Sequence, residues 1–267
     1  MNPLDDPRSQ ASLLIFEVGN SHIATATCIK GQIRTSERFA YDQIEEVVEY
    51  ASKAWAALPD NLLRAAVAGS VVPKVLDPIR RRVAERLDTP VLVIGEDLRL
   101  PLSMAVEAPE LVGIDRVCSA AAAYDKIRLA CVTASFGTAI TVDCVNDEGV
   151  FMGGAILPGL NLQARALSDG AAMLPHVTVE ATDTVYGANT EQAIRNGIIY
   201  GAVGGLREIT ERYATELKVW PQLVVTGGNA ELIHKHCGFI DNVVPDLCVR
   251  GIALAYRKHF APFDEEP

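Results

Sequence analysis

The chain has 267 residues, 49% hydrophobic and 22% charged, which suits one large domain or two of moderate size with a substantial buried core. Its net charge of −10 leaves no basic surplus to neutralise a phosphate backbone or an anionic bilayer, which argues against nucleic acid or membrane as a general partner. Cysteines at 28, 118, 131, 144, 237 and 248 have neither Cys-x-x-Cys nor metal-ligand spacing, and they read as small buried hydrophobes in a reducing compartment.

Residues 1–11 form a polar, turn-prone leader without the apolar centre of a signal peptide, and no stretch of ~18 uncharged residues follows, so a cytoplasmic protein is expected. Residues 12–18 read as a strand, Ile23–Ile29 as its hairpin partner and Gln32–Phe39 as a third strand. Tyr41–Trp55 has the apolar spacing of an amphipathic helix. Arg64–Val72 is a strand, Asp77–Leu87 a helix and Pro90–Ile94 a buried strand. The Ala-rich helix Val117–Tyr124 opens the second half. There 130–135, 138–145 and Gly149–Ala155 repeat the three-strand order. Helices follow at Leu160–Leu167 and Thr190–Leu217, then a strand at Gln222–Thr226 and helices at Glu231–Cys237 and Arg250–His259. The repeat predicts an α/β protein of two lobes, 12–115 and 116–262.

The two first hairpins share a chemistry. Glu17-Val18-Gly19-Asn20-Ser21 and Ser135-Phe136-Gly137-Thr138-Ala139 each end an apolar strand in glycine and a small polar residue. Either loop alone fits an ordinary hairpin turn. Two of them, one in each half, predict two lobes that grip one polyphosphate through backbone N–H groups and short side-chain donors. A nucleotide is the expected ligand, because an acidic protein can supply positive potential locally through N–H groups and a divalent cation. Asp115 beside Arg116 reads as a base next to an anion-holding guanidinium, or as a helix-start acid paired with its neighbour. Thr190 fits a substrate contact or a helix N-cap. Gly227-Gly228 after a strand lets backbone pass close to a nucleoside, and is equally a plain strand-to-helix turn. Histidines 22, 176, 234, 236 and 259 form no ligand cluster.

In order along the chain, Val18-Gly19-Asn20-Ser21, Ser70-Val71-Val72-Pro73, Gly113-Ile114-Asp115-Arg116, Phe136-Gly137-Thr138-Ala139, Gly153-Gly154-Ala155-Ile156-Leu157-Pro158-Gly159, Gly187-Ala188-Asn189-Thr190 and Thr226-Gly227-Gly228-Asn229 resemble the signature segments of the type III pantothenate kinases. That family has the acetate/sugar kinase–Hsp70–actin superfold, two ribonuclease H-like lobes each built on a mixed five-stranded sheet. The resemblance implies transfer of the γ-phosphate of ATP to the primary hydroxyl of pantothenate, on the way to coenzyme A. It implies ATP with Mg²⁺ bound by Gly19, Asn20, Ser21, Gly137, Thr138, Gly227 and Gly228, with Glu17 beside the cation. It makes Asp115 the proton acceptor and places Val106, Gly113, Ile114, Arg116 and Thr190 at the substrate. A homodimer is implied as well.

Three positions depart from the family pattern. Glu17 replaces the aspartate that opens the first loop, which moves the carboxylate by one methylene. Ser135 replaces an aspartate that binds a monovalent cation (K⁺ or NH₄⁺) in the family, and Asp143 across the hairpin is a candidate substitute. Val106 stands where a substrate-contacting tyrosine is usual. Three readings follow: a pantothenate kinase, a nucleotide-binding or regulatory paralogue without turnover, or a kinase for a related hydroxyl compound.

Overall fold

The computed structural model describes residues 7–260. The expected leader lies outside the described residues up to position 6, as does the expected end of the second lobe at 262. Pro7–Gln10 forms a 3₁₀ helix, Ala11 is buried, and the Arg8 guanidinium sits 4.8 Å from the Phe260 ring. No helix among the described residues is long and apolar enough to cross a membrane.

The chain divides into two compact units. The first takes the described residues up to Ser103, then Glu107–Ala122 and the residues from Leu247 onward; the second takes Met104–Val106 and Ala123–Asp246. In chain order the elements are β1 (Ser12–Val18), β2 (Ile23–Ile29), β3 (Gln32–Phe39), α1 (Ile44–Ala56), β4 (Arg64–Ser70), α2 (Pro73–Leu87) and β5 (Val91–Val93). Next come β6 (Ser103–Met104), α3 (Ile114–Ile127), β7 (Cys131–Phe136), β8 (Ala139–Val145), β9 (Val150–Pro158) and α4 (Leu160–Gly170). The chain closes with α5 (Thr190–Leu217), β10 (Gln222–Thr226), α6 (Ala230–His236), β11 (Asn242–Val243) and α7 (Leu247–Phe260).

The first sheet has the order β3-β2-β1-β4-β5, with β1–β3 antiparallel and β4 and β5 parallel to β1. Lys30 and Gly31 join β2 to β3 with both φ angles positive, as a two-residue type I′ turn requires. Alternation sorts β1 between two apolar layers. Leu14, Phe16 and Val18 pack with Val47 and Ala51 of α1 and with Leu76, Ile79 and Val83 of α2. Leu13 and Ile15 face Val249, Ile252, Ala253 and Tyr256 of α7.

The sequence division gave the terminal helix to the second lobe by chain order. In the structure α7 belongs to the first unit, since nearly every residue of its first two and a half turns is buried and it covers the open face of β1. Gly251 allows that approach: a Cβ there would lie 1.9 Å from the Cys118 carbonyl oxygen. Helix α3 also begins at Ile114, earlier than the expected Val117, because Ile114 packs against Gly69 and Gly95.

The second sheet has six strands, β11-β10-β7-β8-β9-β6, where five were expected; the two-residue β6 adds to the edge at β9. Val132, Ala134, Phe136, Ile140 and Val142 pack with Leu160, Ile194, Ile198, Ile199 and Leu206 from α4 and α5. All six cysteines are buried and none forms a disulfide.

Candidate functional site

In the first unit the expected residues gather at the C-terminal ends of β1 and β4, where open α/β sheets present their loops to ligands. Glu17 pairs in register with Gly69 of β4, and Val18 with Ser70. Beyond them Gly19, Asn20 and Ser21 form the hairpin turn, closed by Gly19 N–H donating to the His22 carbonyl at 3.2 Å. The Tyr41 hydroxyl donates to the Gly19 carbonyl and pins the loop from outside; burial pushes its phenol upward. Asn20 and Ser21 are exposed. Ser70 accepts from Val72 N–H at 2.9 Å through Oγ and so shapes the exit from β4 into Pro73, the first residue of α2.

Asp115 and Arg116 occupy the first turn of α3. The Asp115 carboxylate accepts from the Arg116 backbone N–H at 2.9 Å and folds over Gly113, where a Cβ would come within 2.6 Å of Oδ1. Desolvation raises the Asp115 pKa above the ordinary aspartate value; the hydrogen bond from the Arg116 N–H and the Arg116 charge oppose it and lose. A carboxylate shifted toward neutral pH is suited to accept a proton.

Glu17 shares the β1 face of Ile15 and looks toward α3 and α7. The Cys248 thiol on α7 hydrogen-bonds its carboxylate. Glu17 and Asp115 both hold the Cys248 and Cys118 thiols protonated, after desolvation as the larger cause, so the four groups share one corner of this unit.

In the second unit three expected segments converge on one turn. Gly137 N–H donates to the Ala139 carbonyl at 3.0 Å, and Gly159 N–H donates to the Thr138 carbonyl at 3.0 Å. A Cβ on Gly159 would lie 2.3 Å from both the Gly137 and Thr138 carbonyl oxygens. Gly227, at φ +95°, lies on the Phe136 backbone, with its would-be Cβ 2.7 Å from the Phe136 oxygen. Asn229 N–H donates to that same oxygen at 3.1 Å. Gly137, Thr138, Gly227 and Gly228 are left exposed beside one another, an accessible stretch of main chain on a rigid base.

Ser135 pairs with Thr141 and with Thr226, and Asp143 pairs with Thr133. Asp143 therefore stands on the same sheet face as Ser135, two residue pairs deeper, and is 1% exposed. Its Oδ1 lies over Gly154, 2.4 Å from where a Cβ would be. Val106 rests against Gly153, 3.4 Å from a Cβ there. Asn189, not Thr190, caps α5, accepting from Gln192 N–H at 2.9 Å. Thr190 is the exposed first residue of the helix, so its hydroxyl is not committed to the cap.

The structure thus places Glu17, Gly19, Asn20, Ser21, Gly113, Ile114, Asp115 and Arg116 in the first unit. It places Val106, Ser135, Gly137, Thr138, Asp143, Thr190, Gly227 and Gly228 in the second. Sequence reasoning missed Tyr41 and Cys248, whose contacts with Gly19 and Glu17 join residues far apart in the chain and leave no local signal. Among the described residues no three His, Cys, Asp or Glu side chains are arranged to hold a metal ion.

The fold recurs in solved structures of low identity. A conserved Baf family transcriptional activator candidate from Campylobacter jejuni is 16% identical, with a TM-score of 0.60 over 92% of this chain and 98% of that one. The ethanolamine utilization protein EutJ from Carboxydothermus hydrogenoformans is 15% identical, with a TM-score of 0.53 over 95% and 92% of the two chains. Component A of (R)-2-hydroxyglutaryl-CoA dehydratase from Acidaminococcus fermentans is 13% identical, with a TM-score of 0.52 over 94% and 98%. Fold and sheet order define an α/β protein built on two mixed sheets with flanking helices. The sequence model of the type III pantothenate kinase family matches residues 13–212, most of the chain, and the chain belongs to that family.

Proposed function

We propose that this protein is an ATP-dependent kinase that phosphorylates the primary hydroxyl of pantothenate to give 4′-phosphopantothenate, a step towards coenzyme A. The observation that carries the proposal is Asp115: a desolvated carboxylate of raised pKa, bent over Gly113 at the start of α3 with Arg116 next to it. In phosphoryl transfer the protein mostly positions reactants and balances charge. Asp115 takes the hydroxyl proton as the acceptor oxygen bonds the γ-phosphorus and ADP leaves. Arg116 and Thr190, with Gly113, Ile114 and Val106, are assigned to the acceptor substrate. Gly19, Asn20, Ser21, Gly137, Thr138, Gly227 and Gly228 are assigned to ATP.

A divalent ion held by one carboxylate and the nucleotide's own phosphates fits the donor set here, with Glu17 as that carboxylate; an all-protein metal cage does not. Such an ion neutralises phosphate charge. At the monovalent-cation position Ser135 offers a neutral hydroxyl, and Asp143 is turned onto Gly154. A homodimer in the cytoplasm completes the reading.

The test is ADP release from purified protein with ATP, Mg²⁺ and pantothenate, with and without K⁺ or NH₄⁺. Pantothenate-dependent ADP supports the kinase. ATP binding without it favours a non-catalytic nucleotide-binding paralogue, for which the loss of charge at Ser135 is the supporting observation. Turnover with another acceptor instead points to a related hydroxyl substrate, for which the aliphatic Val106 is the reason.

A further inference from the structure

We propose that Tyr186 is an acceptor-contacting residue, an aromatic wall on the segment that leads to Thr190, and that Asn196 is the positioning residue that holds it there. This rests on the reading of Thr190 as a contact of the acceptor substrate. The observation behind it is a strap, residues 177–188, tied along α5 within the second unit. Val177 and Val179 are buried in the core of that unit. Arg195 Nε donates to the Thr178 carbonyl at 3.0 Å, and its guanidinium pairs with Glu180 at 3.3 Å. Asn196 Nδ2 donates to the Thr184 carbonyl at 3.0 Å and to the Val185 carbonyl at 3.3 Å. The Tyr200 hydroxyl donates to the Thr184 carbonyl at 3.3 Å. Ala188 N–H donates to Gln192 Oε1 at 2.9 Å. Gln192, Asn196 and Tyr200 recur every fourth residue and so share one face of α5.

Between these ties Tyr186 is turned outward. Gly187 lies flat on α5, where a Cβ would come within 2.3 Å of the Ala193 nitrogen. Main chain is thus held on both sides of Tyr186, at the Val185 carbonyl and at Gly187, while the Tyr186 side chain is 86% exposed. Three residues on, Asn189 caps α5 and Thr190 opens it. Asn196 itself is buried, and its orientation is set by the two carbonyls, which accept only from the NH₂ end of the amide; its Oδ1 is left without a partner. A fold that needed only to cover this helix face would do better with an aliphatic side chain there. A large aromatic displayed on anchored main chain suits binding, because little backbone freedom is lost when a ligand packs on it. The proposed acceptor matches a phenol: a quaternary carbon with two methyl groups adjoins its primary hydroxyl and can pack on the ring, and its hydroxyl and amide groups can bond the phenol oxygen.

The test is calorimetric titration of pantothenate into the whole protein, with Mg²⁺-ATP affinity and a thermal melt measured alongside; none of these requires turnover. Tyr186→Ala removes an exposed side chain and leaves the fold intact. It is expected to weaken pantothenate binding about tenfold, the scale of one aromatic contact, while Mg²⁺-ATP affinity and Tm hold. Tyr186→Phe keeps the ring and should stay within about threefold of wild type. Asn196→Ala should weaken pantothenate binding by a similar factor to Tyr186→Ala, again without a change in Mg²⁺-ATP affinity. Tyr200→Phe deletes one bond to the strap and should act in the same direction, which keeps the positioning role testable if Asn196→Ala does not fold. Combined with Tyr186→Ala, either strap variant should weaken pantothenate binding no further, because the strap acts through the ring. Unchanged pantothenate affinity in Tyr186→Ala overturns the contact. Losses that add fully in the double variants, or an equal loss of Mg²⁺-ATP binding, overturn the positioning role. A wild-type protein that binds pantothenate but does not phosphorylate it sinks the kinase reading alone. One that binds no pantothenate overturns both.

Discussion

Replacing Gly113 with alanine adds a single methyl group next to the carboxylate assigned to proton acceptance. That Cβ would lie 2.6 Å from Asp115 Oδ1, and 3.4 Å from Val71 Cγ1, which is already at the edge of ordinary contact. To restore normal contact the carboxylate must retreat by about 0.8 Å, because overlapping atoms repel steeply. The atom that yields is the tip of a short side chain, so the loss of stability should stay below about 1 kcal/mol. Catalysis is less forgiving, since a misplacement near 1 Å can cost roughly a hundredfold, equivalent to about 2.7 kcal/mol in the barrier. The assay is steady-state kinetics with ATP and pantothenate, alongside ATP affinity and a thermal melt. Gly113→Ala should lower kcat about a hundredfold while ATP affinity and Tm hold. Combined with Asp115→Asn it should cost almost nothing more, because both changes disable one group. A folded Gly113→Ala protein with wild-type kcat, or one whose loss adds fully to that of Asp115→Asn, would refute the reasoning.

Asp115→Asn should reduce kcat by about 10²–10⁴ and leave nucleotide binding nearly intact, as checked by ADP release and calorimetry. The wild-type acid limb of kcat/KM should sit above the ordinary aspartate range, because burial raises the pKa of the group that must be deprotonated; the variant should lose that limb. The sign for stability runs the other way. A folded-state pKa above the unfolded one favours the protonated native form, a contribution present below the unfolded pKa and lost as pH rises through the folded pKa. Asp115→Asn should therefore melt no lower than wild type at neutral pH. Gly227→Ala combines a positive φ with a clash on Phe136, so it should cost about 1–3 kcal/mol in a urea melt and weaken ATP binding. Asn189→Ala should lose about 1 kcal/mol of stability as a cap deletion, while Thr190→Ala should raise the pantothenate KM without lowering Tm. Ser135→Asp should raise activity or introduce K⁺ activation; no response in either measurement would count against the cation assignment at that position.

The longer strands were legible because alternation and β-branched content carry the strand signal locally: Ile23–Ile29, Gln32–Phe39 and Gln222–Thr226 are found where that pattern places them, whereas the two-residue strands Ser103–Met104 and Asn242–Val243 are too short to leave a pattern. Helix α5 was equally plain, with Asn189 before it and 28 residues without proline. Helix starts were harder. Asp115 and Arg116 read as residues ahead of a helix, since a glycine and two charges precede the Ala-rich run. What extends α3 back to Ile114 is contact with Gly69 and Gly95, which no local window contains. The consequence is chemical, because it puts the Asp115 carboxylate inside a helix turn, folded over Gly113 and desolvated, where it would otherwise hang from a loop.

The same limit explains the two substitutions at acidic positions. Sequence registers that Glu17 is one methylene longer than aspartate, yet the Cys248 thiol that meets it follows by more than two hundred residues and leaves no local signal. Ser135 has no such partner change on its own strand. Asp143 shares its face but stands two pairs deeper with Oδ1 over Gly154, so the charge lost at Ser135 is not replaced by a carboxylate opposite it in register. The two departures are therefore different in kind: the first keeps a carboxylate at the end of β1, and the second puts a neutral hydroxyl where the family pattern has a charge. On the proposed assignment the expected phenotype is Mg²⁺-dependent turnover without K⁺ activation, and stimulation of the wild-type protein by K⁺ would count against it.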